Sequence, residues 1–347
     1  MPADTKLKIA VAGLGRIGWN FHAKRIDASA DFELAAVGDT VPERRAEAED
    51  VFGCRSYADF ATMIAEESLD AVVIATPTHL HLDMTLAAFE AGLDVLLEKP
   101  MASNLTEATE IVEAAEKLGR VLTVYQPHRL NAYFQHLKAI VDAGQIGRIT
   151  QVLRGSFSYS RRNDWQSLQE YGGGMLNNYG AHFLDQVLQL IGYDTKRVVC
   201  DLQKVASLGD ADDVVRILLE TQEGVVGDVT ISQASVISPF QLVVWGTCGA
   251  VVYTGKEYQI KRFDPAKLPP KEVNPDLASE NRKYPSDQIE FIEETVPVDG
   301  SYGIDVFADF ARAIRDGVPP VVRPRETLAL MTILAQCRES SAGIQTF

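Results

Sequence analysis

The segment Gly13-Leu14-Gly15-Arg16-Ile17-Gly18 restricts this chain more than any other. It follows Lys6 to Ala12, an apolar β-branched run that reads as a strand, and precedes Trp19 to Ala28, which reads as a helix. In that setting a glycine fingerprint specifies a strand–turn–helix unit that cradles a dinucleotide. Gly13 permits the tight turn, Gly15 lets backbone N–H groups approach a pyrophosphate, and Gly18 lets helix and strand pack closely. Arg16 and Ile17 share the loop, and the helix N-terminus adds oriented donors and partial positive charge. Asp39 closes the second strand-like run, Phe32 to Val37, 21 residues beyond Gly18. A carboxylate there accepts hydrogen bonds from the adenosine ribose and repels a 2′-phosphate, so the expected cofactor is NAD rather than NADP. Arg44 and Arg45, in PERRAEAED, read as the solvated face of a helix.

The rest of the first part continues the alternation. Ala71 to Ala75, Val95 to Leu97 and Val121 to Val124 read as buried strands. The helix from Pro42, the helix Leu80 to Glu90 and the helix that Ser103 opens lie between them. This order predicts a doubly wound parallel Rossmann sheet over residues 1–125. Beyond it the grammar changes. Helices at Tyr133 to Ala143 and Tyr179 to Ile191 accompany closely spaced strands between Thr150 and Phe263, which predicts a mainly antiparallel sheet. Residues 264–300 read as a long loop, and helices at Ile304 to Asp316 and Glu326 to Ala342 close the chain. A second α/β domain over 126–347 follows, as 347 residues exceed what one core usually organises.

Composition excludes several classes. The net charge of −15 repels phosphate backbones, so nucleic acid is not an expected partner. No apolar run approaches the length of a membrane span and the N-terminus is polar, so the expected location is the cytoplasm, without a membrane partner. Cys54, Cys200, Cys248 and Cys337 are isolated, which argues against a zinc or disulfide framework. The pair His79-x-His81 lacks further ligands at suitable spacing, and no metal is expected.

Three segments carry the remaining chemistry. Thr76, Pro77 and His81 follow one Rossmann strand and Glu98-Lys99-Pro100 follows another, where ligands of open α/β sheets bind. Gly172-Gly173-Gly174 leads to Asn178, His182 and Asp185, with Asn178 and His182 four apart on one helix face. Tyr125, Gln126, His128 and Arg129 follow the last Rossmann strand, and Arg161 to Trp165 precede the glycine triplet. Arg129, Arg161 and Trp165 are candidate substrate contacts, Arg161 as a clamp and the indole as a platform for a sugar ring.

The ordered set GLGRIG, ATPTHLH, EKP and GGGMLNNYGAHFLD resembles the Gfo/Idh/MocA family, and the resemblance covers nearly the whole chain. It implies NAD(P)-dependent oxidation of a carbohydrate, sugar-acid or cyclitol hydroxyl, or the reverse reduction, on a small polyhydroxylated substrate. It also implies a second domain built on a large open sheet whose face assembles a homodimer or homotetramer. By the resemblance Lys99 lies beside the nicotinamide and the reacting bond, Thr76, Pro77, His81 and Glu98 shape the cofactor pocket, and His182 meets the substrate hydroxyl. Pro100 is a candidate for a cis peptide bond. The chain departs from the usual pattern at Asn178, where the family carries aspartate. An amide accepts no proton, so either Lys99 carries the proton while Asn178 positions substrate, or His182 works without a charged partner. The first is preferred, because a lysine does not need that carboxylate. Two other readings stay open: a glycosidase or lyase using transient redox on tightly held NAD, and a non-catalytic sensor, against which Lys99 and His182 argue.

Overall fold

A computed structural model describes residues 5–273 and 287–347. The chain opens with β1 (Leu7–Ala12), a π-helical turn at Gly18–Ala23 that runs into α1 (Lys24–Asp27), β2 (Phe32–Gly38) and α2 (Pro42–Phe52). Next come β3 (Arg55–Tyr57), α3 (Phe60–Glu66), β4 (Ala71–Ile74), α4 (His81–Glu90), β5 (Asp94–Leu97), α5 (Leu105–Leu118) and β6 (Leu122–Val124). The six strands form one parallel sheet in the order β3-β2-β1-β4-β5-β6. β4 and β5 are buried at every residue, which is why they read as unbroken apolar runs. The order reverses between β1 and β4, and the glycine loop leaves β1 at that crevice.

Two elements here escape sequence reading. β3 is a three-residue edge strand with one exposed and two half-buried residues, and α3 is a short helix. α3 is capped by Asp59, whose side chain accepts from the Thr62 N–H at 2.7 Å. At α5 the cap is Asn104 rather than Ser103. Asn104 accepts from the Glu107 N–H (3.0 Å), while Glu107 reaches back to the Ser103 N–H (3.0 Å).

The second part begins with α6 (Pro127–Leu130), α7 (Ala132–Asp142), β7 (Ile149–Phe157), α8 (Ala181–Ile191), β8 (Thr195–Lys204), β9 (Val214–Thr221) and β10 (Val226–Ser232). It continues through β11 (Leu242–Gly246), β12 (Gly249–Tyr253), β13 (Glu257–Arg262), β14 (Ile292–Pro297), α9 (Val306–Asp316), α10 (Pro324–Ser340) and β15 (Ile344–Thr346). Nine strands form an open sheet in the order β14-β13-β12-β11-β7-β10-β9-β8-β15. The sheet is mixed: β7 pairs β10 in parallel, and β8 pairs β15 in parallel. After β7 the chain returns through α8, so the third strand of the β8-β9-β10 meander comes back alongside β7 in the same direction. The loop expected over 264–300 is corrected at its end, where β14 pairs antiparallel with β13; positions 274–286 lie outside the described residues.

α8 and α10 cover one face of this sheet, and the period-2 burial of β9 shows that the other faces outward. Val199, Leu218 and Trp245 stand exposed on it. The boundary near residue 125 falls after β6, yet Val306, Phe307, Phe310, Ala311 and Val322 complete the core of the first sheet, so the chain's end returns to the Rossmann domain. The junction closes on Arg129. Its fully buried guanidinium pairs with both oxygens of Asp185 on α8 and with Glu326 on α10, and also donates to the Val321 carbonyl (3.2 Å) and the Tyr193 hydroxyl (3.1 Å).

Removing one partner of a buried pair strands the other charge. Asp185→Ala is therefore expected to lower the unfolding free energy by about 3–5 kcal/mol, read as a fall in the urea midpoint. A midpoint equal to wild type would contradict the role given to this pair.

Candidate active site

The glycine loop is shaped by two different demands. Gly13 sits at φ +93°, and a Cβ there would stand 2.5 Å from the Ala75 carbonyl oxygen. A Cβ on Gly18 would stand 1.8 Å from the Gly13 carbonyl oxygen. Those two positions are set by the protein's own backbone. Gly15 differs, because nothing lies within 4 Å of where its Cβ would point. Open space over a glycine at a helix start is what the approach of a pyrophosphate requires, so the loop fits a dinucleotide. Arg16 is exposed at its rim and Ile17 is half-buried.

Asp39 lies against the same loop. One carboxylate oxygen accepts from the Leu14 N–H at 2.7 Å and the other from the Val41 N–H at 2.9 Å. The oxygen that accepts from Val41 keeps a second lone pair for a ribose hydroxyl. Arg44 and Arg45 are not merely a solvated helix face. Arg44 approaches the Asp39 carboxylate at 3.4 Å, and Arg45 donates to the Asp39 carbonyl at 2.7 Å.

The exits of β4 and β5 are tied together by His81, which is buried. Its Nδ1 lies 3.0 Å from the Pro100 carbonyl oxygen and its Nε2 lies 3.0 Å from that of Thr76. This holds the Thr76-Pro77 turn against the segment after Lys99, whose bond to Pro100 is cis. The Glu98 carboxylate meets His22 Nε2 at 2.7 Å and accepts from the Lys99 backbone N–H at 3.1 Å. It thus anchors the turn that projects Lys99.

Lys99 crosses to the second domain, where its Nζ donates to Asn178 Oδ1 at 3.3 Å. Burial holds its ammonium below the ordinary lysine range; nearby Glu98 opposes this and Arg16 adds to it. Asn178 belongs to a π-helical turn, Leu176–Gly180, that precedes α8. Its Nδ2 donates to Gln166 Oε1 at 3.2 Å. Asn178 therefore turns to the lysine, and the partner of His182 comes from elsewhere. His182, on α8, is 6% exposed, and its Nδ1 lies 2.9 Å from Gln126 Oε1. An amide oxygen only accepts, so Nδ1 carries the proton and Nε2 keeps a lone pair. His128 stacks on His182 with ring centroids 4.4 Å apart. Burial, followed by the neighbouring cations, pushes His182 well below the ordinary histidine value and His128 down to about 4. Both imidazoles are neutral at pH 7.

Within the glycine triplet, Gly173 and Gly174 serve packing rather than ligand approach. A Cβ on Gly173 would stand 2.5 Å from the Gln166 carbonyl oxygen, and one on Gly174 would stand 2.3 Å from Asp212 Oδ1. The triplet thereby admits the loop that carries Gln166. Asp212 in turn accepts from the Leu176 N–H at 2.8 Å and fixes the start of the π-helical turn.

Arg129 is corrected as a substrate contact. All its donors are spent on Asp185, Glu326, Val321 and Tyr193 in the interior. Asp185 is likewise no part of a polar face toward solvent, being 1% exposed. Arg161 and Trp165 are exposed on the loop next to Gln166. Gln166 was missed by sequence reading, as was Arg154, a buried guanidinium 3.7 Å above the Phe183 ring whose Nε donates to Gln186 Oε1 at 2.9 Å. Neither sits in a motif, and a glutamine in a loop carries no signal by itself. At the carboxyl ends of the parallel strands β7 and β10, a cavity of about 220 Å³ is lined by Ser156, Ser158, Tyr179, Ser232 and Gln233, among others. Its lining has no charged side chain.

Comparison with known proteins identifies the family of both domains. Residues 7–126 match the family described as "Oxidoreductase family, NAD-binding Rossmann fold", and residues 134–252 match the GFO/IDH/MocA C-terminal domain. The scyllo-inositol 2-dehydrogenase (NAD(+)) of Bacillus subtilis is 25% identical over 336 residues, covering 91% of this chain and 96% of that protein. The myo-inositol 2-dehydrogenase of Thermotoga maritima is 27% identical, covering 71% of this chain and 74% of that one. Among solved structures, an NAD-binding protein from Listeria innocua superposes with a TM-score of 0.79 at 21% identity, covering 97% of both chains. The WlbA dehydrogenase from Bordetella pertussis, in complex with NADH and UDP-GlcNAcA, gives 0.74 at 24% identity, covering 97% of this chain and 96% of that one.

The depressed histidines predict a pH signature. An unfolded histidine takes up a proton near its ordinary 6.5, whereas folded His128 takes one up only near 4. The unfolded state then binds more protons in that window, and stability falls as pH drops through it. His128→Asn should flatten the slope of the urea midpoint against pH between those values, and an unchanged slope would contradict the assignment.

Proposed function

Because the chain belongs to the Gfo/Idh/MocA family of NAD-binding oxidoreductases, we propose that it oxidises a secondary hydroxyl of a small polyhydroxylated substrate, a sugar, sugar acid or cyclitol, or reduces the corresponding ketone. One observation carries the reading: Lys99 from the Rossmann sheet lies close enough to His182 of the second domain to act on its charge, with Asn178 joined to the lysine.

The residues that would hold the dinucleotide are Gly13, Gly15, Arg16, Ile17, Gly18 and Asp39, together with the turns at Thr76, Pro77, His81 and Glu98. When bound, NAD supplies the hydride-transfer chemistry. The side chains supply the rest. Lys99, its charged form disfavoured by burial, takes the hydroxyl proton at Nζ in the oxidative direction. His182 is neutral with Nδ1 held by Gln126, and Nε2 accepts a hydrogen bond from the substrate hydroxyl. Asn178 positions Lys99 and needs no charge to do so. Arg161 and Trp165 are exposed at the mouth and contribute to substrate binding, with the indole as a ring platform. The serine- and glutamine-lined cavity beside Tyr179 suits the remaining hydroxyls. The uncovered sheet face, with Val199, Leu218 and Trp245, suits a second copy of the chain in a homodimer or homotetramer. No helix among the described residues is long and apolar enough to cross a membrane.

Lys99→Met is expected to lower kcat by roughly 10²–10⁴-fold while NADH binding, read by fluorescence, persists. Near-normal turnover would overturn the role of Lys99. Incubation with NAD⁺ and a panel of sugars, sugar acids and cyclitols should give net NADH absorbance. Product formed without net NADH would favour transient redox, and silence across the panel would favour sensing. Asp39 predicts that NADPH binds at least about tenfold more weakly than NADH, and equal affinities would sink that assignment.

A further inference from the structure

Asn178 and Gln166 form a chain of two amides that ends on Lys99. The hydrogen-bond directions in it are not free. An ammonium only donates, so Asn178 must present Oδ1 to Lys99. Its Nδ2 then faces Gln166, which must present Oε1. The same chain can run backwards. A neutral amine has a lone pair, which accepts from Asn178 Nδ2 once the amide turns over. Asn178 Oδ1 then accepts from Gln166 Nε2. Either protonation state of Lys99 finds a hydrogen-bond partner in this amide. A carboxylate at position 178 could serve only the ammonium.

We infer that Gln166 is a positioning residue for Lys99: acting through Asn178, it orients the amide that faces the lysine and lets that amide follow the lysine's protonation. The loop geometry supports the assignment. Gly174 N–H donates to the Gln166 carbonyl at 2.9 Å, and Gly173 and Gly209 leave no room for a Cβ beside this loop. Gln166 is thus held in place by backbone while its side chain reaches Asn178. The other charged or titratable groups around Lys99 are Glu98 and Arg16, which act on it, and His128 and His182, on which it acts. Glu98 is occupied by His22 and the Lys99 N–H, and the two histidines are held neutral by burial. The amide chain is the remaining partner of the lysine head.

The inference deepens the reading of Lys99 as proton carrier, but its test reads the lysine directly. Competitive labelling with acetic anhydride across pH, with Lys99 acetylation quantified by mass spectrometry, gives the midpoint of its titration whether or not a polyol is turned over. Gln166→Glu has the same reach but can only accept, which locks Asn178 Oδ1 toward the lysine. The midpoint should rise by about one pH unit. In an Asn178→Ala background the same substitution should move it far less, because the coupling passes through Asn178. Absence of a shift in the first background would overturn the inference, and so would an equal shift in both, which marks through-space charge. Should Gln166→Glu fail to bind NADH as a folded chain, Gln166→Met completes the same cycle. A midpoint displaced where Asn178 is intact and unmoved in the Asn178→Ala background supports the relay, and any other pattern overturns it. A working relay with no turnover on any substrate would count against the proposed function alone.

Discussion

The buried ion cluster around Arg129 is the interaction on which the rest of the site depends. A guanidinium is tolerated in an interior only where carboxylates and other acceptors meet its whole donor fork. Here those partners come from α8, α10 and the segment before α10, so the first turn after the Rossmann sheet is clamped to the far end of the chain. Gln126 precedes that turn, His128 lies within it, and His182 lies one helical turn before Asp185. Clamping Arg129 to Asp185 therefore places Gln126 at the His182 ring and stacks the two imidazoles. A structural ion pair sets the register between the Rossmann half and the half built on the mixed sheet.

This bears on what a sequence can show. The glycine loop, Asp39 and the Rossmann strands were legible because each follows from a local rule: a positive φ, a Cβ with no room, or a strand buried on both faces. Lys99 and His182 were legible through the motifs around them. Arg129 was read as a substrate contact because a lone arginine after a strand looks the same whether its partners are ligands or residues 56 and 197 positions away. Gln166 was invisible for a related reason, since its role exists only once the glycine triplet has folded its loop against Asn178. β14 was hidden in a polar tract, as half-exposed strands at a sheet edge need little apolar content. The parallel pairing of β7 with β10 depends on the α8 return, which spacing between strands does not report.

The asparagine in place of the usual aspartate is clearer in this light. The site has not lost a carboxylate that it still needs. The partners of Lys99 and His182 are both amides, Asn178 and Gln126, and both are uncharged. Burial outweighs the one nearby acid, Glu98, and so governs both groups, keeping the imidazole neutral and the ammonium weakened. The electrostatics of the cleft are set by exclusion of water more than by paired charge.

α10 carries a further consequence. Leu328 and Met331 on this helix pack against the core of the first sheet, while Leu330, Ile333, Leu334 and Cys337 belong to the core of the second. A helix shared by two cores cannot melt with one and remain with the other. The two domains are therefore one cooperative unit, and heating should give a single calorimetric peak rather than two resolved transitions. The same helix opposes hinge-like opening of the domains.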